Sequence, residues 1–183
     1  MTAVPPGNRN KGAQALPHIS APLPRNQICV LVILILFSIL SYYLISRFLV
    51  TAVVVQGRSM TPTLQDGDRY VLNRWAFHSQ SPQRGDLVVL KDPGHDDYAV
   101  KRIVGTPCET VHLKNESVYV NGTKLNEPYL SPGTETRVPN LKETIVVVGK
   151  DHFFVMGDNR PNSEDSRFYG AVHRSQIVGL ISR

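Results

Sequence analysis

At 183 residues, with 42% hydrophobic and 19% charged residues, the chain suits one ordinary domain plus appendages. Its net charge of +5 is concentrated near the N-terminus, where Arg9, Lys11 and Arg25 meet no acidic residue; the remainder, 17 basic against 15 acidic side chains, leaves no footprint for nucleic acid. Two cysteines make no disulfide framework, and the six histidines include no metal-type spacing, so a metal hydrolase is not expected.

Residues 1–25, rich in Pro, Gly, Asn and Ala, read as a disordered tail. Residues 26–47 read as a transmembrane anchor: Asn26 to Ser46 holds no charge, and as a helix this stretch is about 31 Å long, the thickness of a bilayer core. A buried soluble helix would show a polar face, and only Ser38 and Ser41 interrupt this run. A cleaved signal peptide has a shorter apolar core, of about 7–15 residues, although Val50-Thr51-Ala52 resembles a weak cleavage site. The basic tail places the N-terminus in the cytoplasm and residues 48–183 outside it, with Arg47 and Arg58 weakening the bias.

From Phe48 onward the pattern turns extended. Strands are expected over Phe48–Val55, Arg69–Asn73, Leu87–Leu90, Tyr98–Val104, Ile145–Val148, His152–Met156 and Ile177–Ile181. A hairpin is expected over Val118–Leu125, with Asn121-Gly122 supplying a type I′ turn. Trp75–Arg84 and Asp158–Gly170 read as polar loops, and Glu127–Lys142 as an excursion bearing Pro and Thr. Many short strands, no convincing soluble helix and no internal repeat predict a mainly β, barrel-like domain over 48–183.

Three stretches carry chemistry. Ser59 follows an apolar β-type run and precedes a turn set by Pro62, in the spelling Gly57-Arg58-Ser59-Met60-Thr61-Pro62-Thr63-Leu64. Lys101 emerges from Tyr98-Ala99-Val100 and is followed by Ile103 and Val104. A serine needs a base to take its proton, and lysine serves only if burial lowers its pKa from about 10.4. Taken singly, Ser59 reads as a turn serine and Lys101 as an exposed strand lysine. The third stretch, Gly157 to Arg167, is dense in small, amide and charged groups.

In this order the three resemble the boxes of the type I signal peptidases (leader peptidases), membrane-bound Ser/Lys proteases that remove signal peptides from exported proteins. Arg84-Gly85-Asp86-Leu87-Val88-Val89, Val118-Tyr119-Val120-Asn121-Gly122 and Glu127-Pro128-Tyr129-Leu130 share the likeness. The resemblance implies that Ser59 is the nucleophile and Lys101 the general base. It implies that Ser163 orients the lysine amine, and that Arg102, Asp158, Asp165 and Arg167 brace the site. It also implies an extended signal peptide bound between the strand before Ser59 and the strand before Lys101. Small residues would then enter pockets walled by Val53, Val55, Met60, Leu64, Ala99 and Val100. The resemblance implies no metal or organic cofactor; the expected partners are signal peptides of preproteins and the lipid bilayer, with no nucleic acid, and the expected state is a monomer in the cell membrane.

Two stretches depart from the family pattern. Cys108-Glu109 follows Pro107 where Gly-Asp is usual, and Leu90 replaces a commoner aromatic. Cys29 and Cys108 fall in different compartments and cannot pair. Asn115-Glu116-Ser117 and Asn121-Gly122-Thr123 match a glycosylation pattern, which the family's usual setting argues against. The short insertion between Lys101 and the last box implies a small accessory β-domain. Rival readings are a self-cleaving repressor-type Ser/Lys protease, a tethered β-domain that binds exported peptides without cutting, and a Ser-His-Asp hydrolase drawing on His78, His95, His112, His152 or His173.

Overall fold

The computed structural model describes residues 24–48, 50–95, 97–139 and 142–182. The chain divides into two units, the first ending at Leu40 and the second beginning at Ser41. The expected disorder of residues 1–25 falls almost wholly outside the described residues.

Helix α1 (Arg25–Phe48) runs one residue past the expected anchor at each end. Its Arg25–Tyr43 portion has a mean hydropathy of 2.0, long and apolar enough to cross a membrane. Apolar side chains are exposed all round it, Phe37 and Tyr42 among them, without the polar face of a soluble amphipathic helix.

Eleven strands follow among the described residues: β1 (Val50–Val54), β2 (Arg69–Asn73), β3 (Leu87–Lys91), β4 (Tyr98–Gly105), β5 (Thr110–Lys114), β6 (Ser117–Val120), β7 (Thr123–Lys124), β8 (Thr144–Val147), β9 (His152–Met156), β10 (Val172–His173) and β11 (Ile177–Ser182). Every pairing is antiparallel. The larger sheet has the order β1-β2-β11-β3-β4-β9-β10 and the smaller β7-β6-β5-β8. The fold is mainly β, as expected, but the large sheet stays open, a curled half-barrel with β1 and β10 at its edges. The smaller sheet is the short insertion between Lys101 and the last box.

Burial explains the strand patterns. In β3, Val88, Val89 and Leu90 are all buried, the continuous apolar run of a strand covered on both faces. Val88 and Leu90 join Ile103, Phe153, Val155 and Val172 in one core; Val89 joins Val55, Met60, Leu64, Leu72 and Ile181 in another. In β5 and β6 burial alternates, so that Val111, Leu113, Val118 and Val120 face a third core with Val104, Phe154 and Met156. The two sheets meet at Gly105, where a Cβ would lie 2.5 Å from Val111 Cγ2.

Several expectations need correction. Residue 48 ends the helix rather than opening a strand, because Ser46-Arg47-Phe48 still continues the helical hydrogen bonding. The loop Trp75–Arg84 contains a four-residue helix, α2 (Ala76–Ser79), whose start is held by the Asn73 side chain accepting from the N–H groups of Trp75 and Ala76. A second short helix, α3 (Ser166–Tyr169), and a 3₁₀ turn at Arg160–Asn162 lie inside the expected loop Asp158–Gly170. Strand β5 has no counterpart in the sequence reading. It is joined to β6 by Asn115-Glu116, both with positive φ (47° and 56°). The Asn121-Gly122 turn forms as expected, with φ of 48° and 83°.

Cys108 occupies the place where the family pattern has Gly, and its φ of 66° explains that preference. The left-handed conformation costs a non-glycine residue roughly 1–2 kcal/mol, partly offset by the greater freedom of glycine in the unfolded chain. Cys108→Gly is therefore expected to stabilise the fold by up to about 1 kcal/mol, read as a rise in Tm of a few degrees.

Candidate active site

Ser59 sits on a loop pinned at both ends. Val55 before it and Met60 and Leu64 after it are buried in one core. Each such side chain contributes about 1.5–3 kcal/mol of burial. The turn closes through Leu64 N–H donating to Met60 O at 2.9 Å and Gly67 N–H to Val55 O at 2.9 Å. Asn159, unassigned in the sequence reading, fastens this loop from across the chain. Its side-chain amide donates to Arg58 O at 3.0 Å and Thr61 Oγ1 at 2.9 Å, and its backbone N–H donates to Ser59 O at 2.9 Å.

Lys101 lies on β4 opposite Val88 of β3 and is 4% exposed. Its amine donates to Ser163 Oγ at 3.1 Å. Burial holds its pKa below the ordinary lysine value, the loss of solvation outweighing Asp165, Asp92 and Glu164, which favour the charged form; Arg167 adds to the lowering. Gly157 brings the two halves together. A Cβ there would lie 2.2 Å from Ser163 Oγ and 2.6 Å from Ser59 O, so the backbone of Ser59 and the partner of Lys101 press on the same glycine.

In the stretch read as a polar loop, Asp158, Arg160, Ser163, Asp165 and Ser166 are buried. Asp158 takes Arg102 in a bidentate pair, Nε–Oδ1 2.8 Å and Nη2–Oδ2 2.6 Å, with Thr63 Oγ1 also donating to it. Arg102 donates further to Gly85 O at 2.9 Å, which fixes the Arg84-Gly85-Asp86 turn. Asp165 accepts from Arg167 Nε at 2.8 Å and Gly157 N–H at 3.0 Å, and caps α3 through Arg167 N–H. Arg167 donates onward to Arg160 O and Ser163 O. Paired and hydrogen-bonded charges are the form in which ions tolerate burial.

Beside Ser59 runs a groove of about 480 Å³. Of the residues named as pocket walls, Val53, Val55, Met60, Ala99 and Val100 line it. Leu64 does not: its side chain turns into the core at 0% exposure. Gln56, Arg74, Asp97, Tyr98 and Val178 also line the groove and were given no role by the sequence reading, since all but Tyr98 lie outside the boxes. One long wall is the edge strand β1 and the other the N-terminal half of β4: among the described residues β1 pairs only with β2, and β4 pairs with β9 only from Arg102 onward, so Tyr98 to Lys101 keep one side open.

The sequence profile described as "Signal peptidase, peptidase S26" matches residues 27–183. The chain belongs to this signal peptidase family. Members of the family are serine endopeptidases that act on signal peptides, and this chain is one of them. It is 36% identical over 153 residues to signal peptidase IB of Staphylococcus aureus, covering 76% of this chain and 80% of that protein. It is 38% identical over 152 residues to signal peptidase I P of Bacillus subtilis subsp. natto, covering 80% and 82%. A crystal structure of a signal peptidase I from Enterococcus faecalis V583 aligns at 30% identity and TM-score 0.49, over 56% of this chain and 98% of that one. Membership settles the rivalry with repressor-type proteases. The apolar N-terminal helix is consistent with a membrane-anchored signal peptidase.

Proposed function

We propose that Ser59 is the nucleophile and Lys101 the general base of this signal peptidase. The observation that carries the reading is the placement of the Lys101 amine: buried, depressed in pKa and held by Ser163, which presses with Ser59 O on Gly157, while Ala99 and Val100 just before the lysine line the groove that contains Ser59. The neutral amine takes the proton of Ser59 Oγ as the oxygen attacks the carbonyl carbon after the last signal-peptide residue. Ser163 accepts one amine hydrogen and so aims the nitrogen lone pair. The Ser59 N–H, which makes no hydrogen bond among the described residues, donates to the oxyanion, a contribution of several kcal/mol in comparable sites. Lys101 returns the proton to the leaving amine and then activates the water that frees the acyl-enzyme.

The signal peptide binds extended, adding a strand between the open edges of β1 and β4. Its small side chains enter the apolar lining at Val53, Val55, Met60, Ala99 and Val100. Residues 1–25 form a cytoplasmic tail, 26–47 the bilayer anchor and 48–183 the extracytoplasmic catalytic domain. All the named catalytic groups come from a single chain, so a monomer suffices.

The test is cleavage of a detergent-solubilised preprotein by wild type and Ser59→Ala across pH. Wild-type activity is expected to rise along a limb below the ordinary lysine pKa of about 10.4, with Ser59→Ala inactive throughout. Cleavage by Ser59→Ala would remove the serine from the chemistry. His95, His112, His152 and His173 do not line the groove that contains Ser59, and the side chain of His78 lies outside those described.

A further inference from the structure

Glu127-Pro128-Tyr129, part of the sequence pattern, has no role in the reaction as described so far. The segment follows β7 of the smaller sheet, yet its side chains reach both halves of the site. The Glu127 carboxylate takes the Nη2 of Arg160 on Oε1, with Nη1 at 3.4 Å from Oε2. It also accepts the Tyr129 phenol at 2.8 Å. Arg160 is fully buried; it donates to Thr136 Oγ1, and its Nε donates to Gly157 O at 3.1 Å. Gly157 is the residue on which Ser59 O and Ser163 press. The Tyr129 ring lies over Arg102, with Cζ at 3.9 Å from the ring centroid, and Arg102 is the neighbour of Lys101 that clamps Asp158. One carboxylate therefore joins the support behind the serine to the support behind the lysine.

We propose that Glu127 is a positioning residue for the peptidase reaction, locking Arg160 and Tyr129 so that Gly157 and Arg102 hold Ser163, Ser59 and Lys101 in one arrangement. This rests on the Ser59/Lys101 reading. Glu127 touches no substrate, and its effect travels through the two arginines. When the lock is lost, water reaches the Lys101 amine. The desolvation that lowers its pKa then weakens, while Asp165, Asp92, Glu164 and Arg167 still face it.

The experiment compares preprotein cleavage by wild type, Glu127→Gln, Tyr129→Phe and Glu135→Gln across pH, at a temperature where circular dichroism shows each to be folded. Glu135→Gln, an exposed acid on the same segment, serves as the unaltered control. Glu127→Gln is expected to lose at least tenfold in kcat with KM within twofold, and its rising pH limb is expected to move upward. Tyr129→Phe, which keeps the ring over Arg102, is expected to lose about threefold in the same direction and decides the matter if Glu127→Gln does not fold. Wild-type kcat in the folded variants overturns the proposal, as does a loss that tracks the unfolded fraction with an unmoved limb. Ser59→Ala run alongside separates the two readings: if it still cuts, the dyad fails; if it is dead while Glu127→Gln is normal, only the positioning role fails.

Discussion

Lys101→Arg will cut no preprotein at any pH, with a loss of at least about a thousandfold, the scale on which removal of one member of a catalytic set is felt. Arginine keeps the positive charge but stays protonated under all folded conditions, so it cannot accept the Ser59 proton. Lys101→Met will be equally inactive, for want of a base, but the two variants part in stability. The buried amine is costly when charged, and its folded pKa lies below its unfolded one. Between those two values the unfolded chain binds more protons, so wild-type stability rises with pH across that window and the full penalty remains below it. Methionine, of similar volume, removes the penalty. Lys101→Met is thus expected to be more stable than wild type at low pH, with the advantage shrinking as pH climbs toward about 10.4. Thermal unfolding of wild type and Lys101→Met at three pH values reads this directly. A stability gain independent of pH would mean that Lys101 is not titrating in its buried site.

The stretches that carry the proposed dyad are legible because their signals are local. Lys101 alone reads as an exposed strand lysine, but its apolar flanks Tyr98-Ala99-Val100 and Ile103-Val104 suit burial, and Ser59 lies in a spelling of eight consecutive residues. The loop Gly157–Arg167 misleads because its burial depends on charge partners far along the chain. Arg102 neutralises Asp158 and Glu127 neutralises Arg160, pairings that composition cannot reveal. Leu64 looks like a pocket wall from its place beside Ser59, but the turn that exposes the serine sends the leucine into the core. β5 escapes notice since Thr-Val-His-Leu-Lys alternates over only five residues and ends in Asn-Glu, a turn without the glycine that usually marks one. The open sheet has the same kind of cause: nothing in the short strands tells β1 and β10 whether they meet.

Gly157→Ala will separate chemistry from folding. Its backbone has little room to retreat, because its N–H donates to Asp165 at 3.0 Å and its carbonyl accepts from Arg160 at 3.1 Å. The new methyl would stand 2.6 Å from Ser59 O, 2.5 Å from Ser163 Cβ and 2.2 Å from Ser163 Oγ. The hydroxyl of Ser163 can rotate away, but its Cβ and the Ser59 carbonyl are fixed by the chain. Relief must come from moving the nucleophile loop away from the serine that holds the Lys101 amine. Overpacking of this kind costs about 1–3 kcal/mol of stability. A displacement of about 1 Å at reacting groups costs on the order of a hundredfold in rate. Single-turnover cleavage of a preprotein should therefore slow at least a hundredfold at a temperature where the variant is fully folded. Gly122→Ala is the matched control: with a φ of 83° and no atom within 4 Å of its added Cβ, it brings backbone strain without a clash and should lose stability but not rate. Wild-type turnover by Gly157→Ala would show that the close packing of Ser59 on Ser163 is dispensable, and with it the account of how Ser163 aims the base.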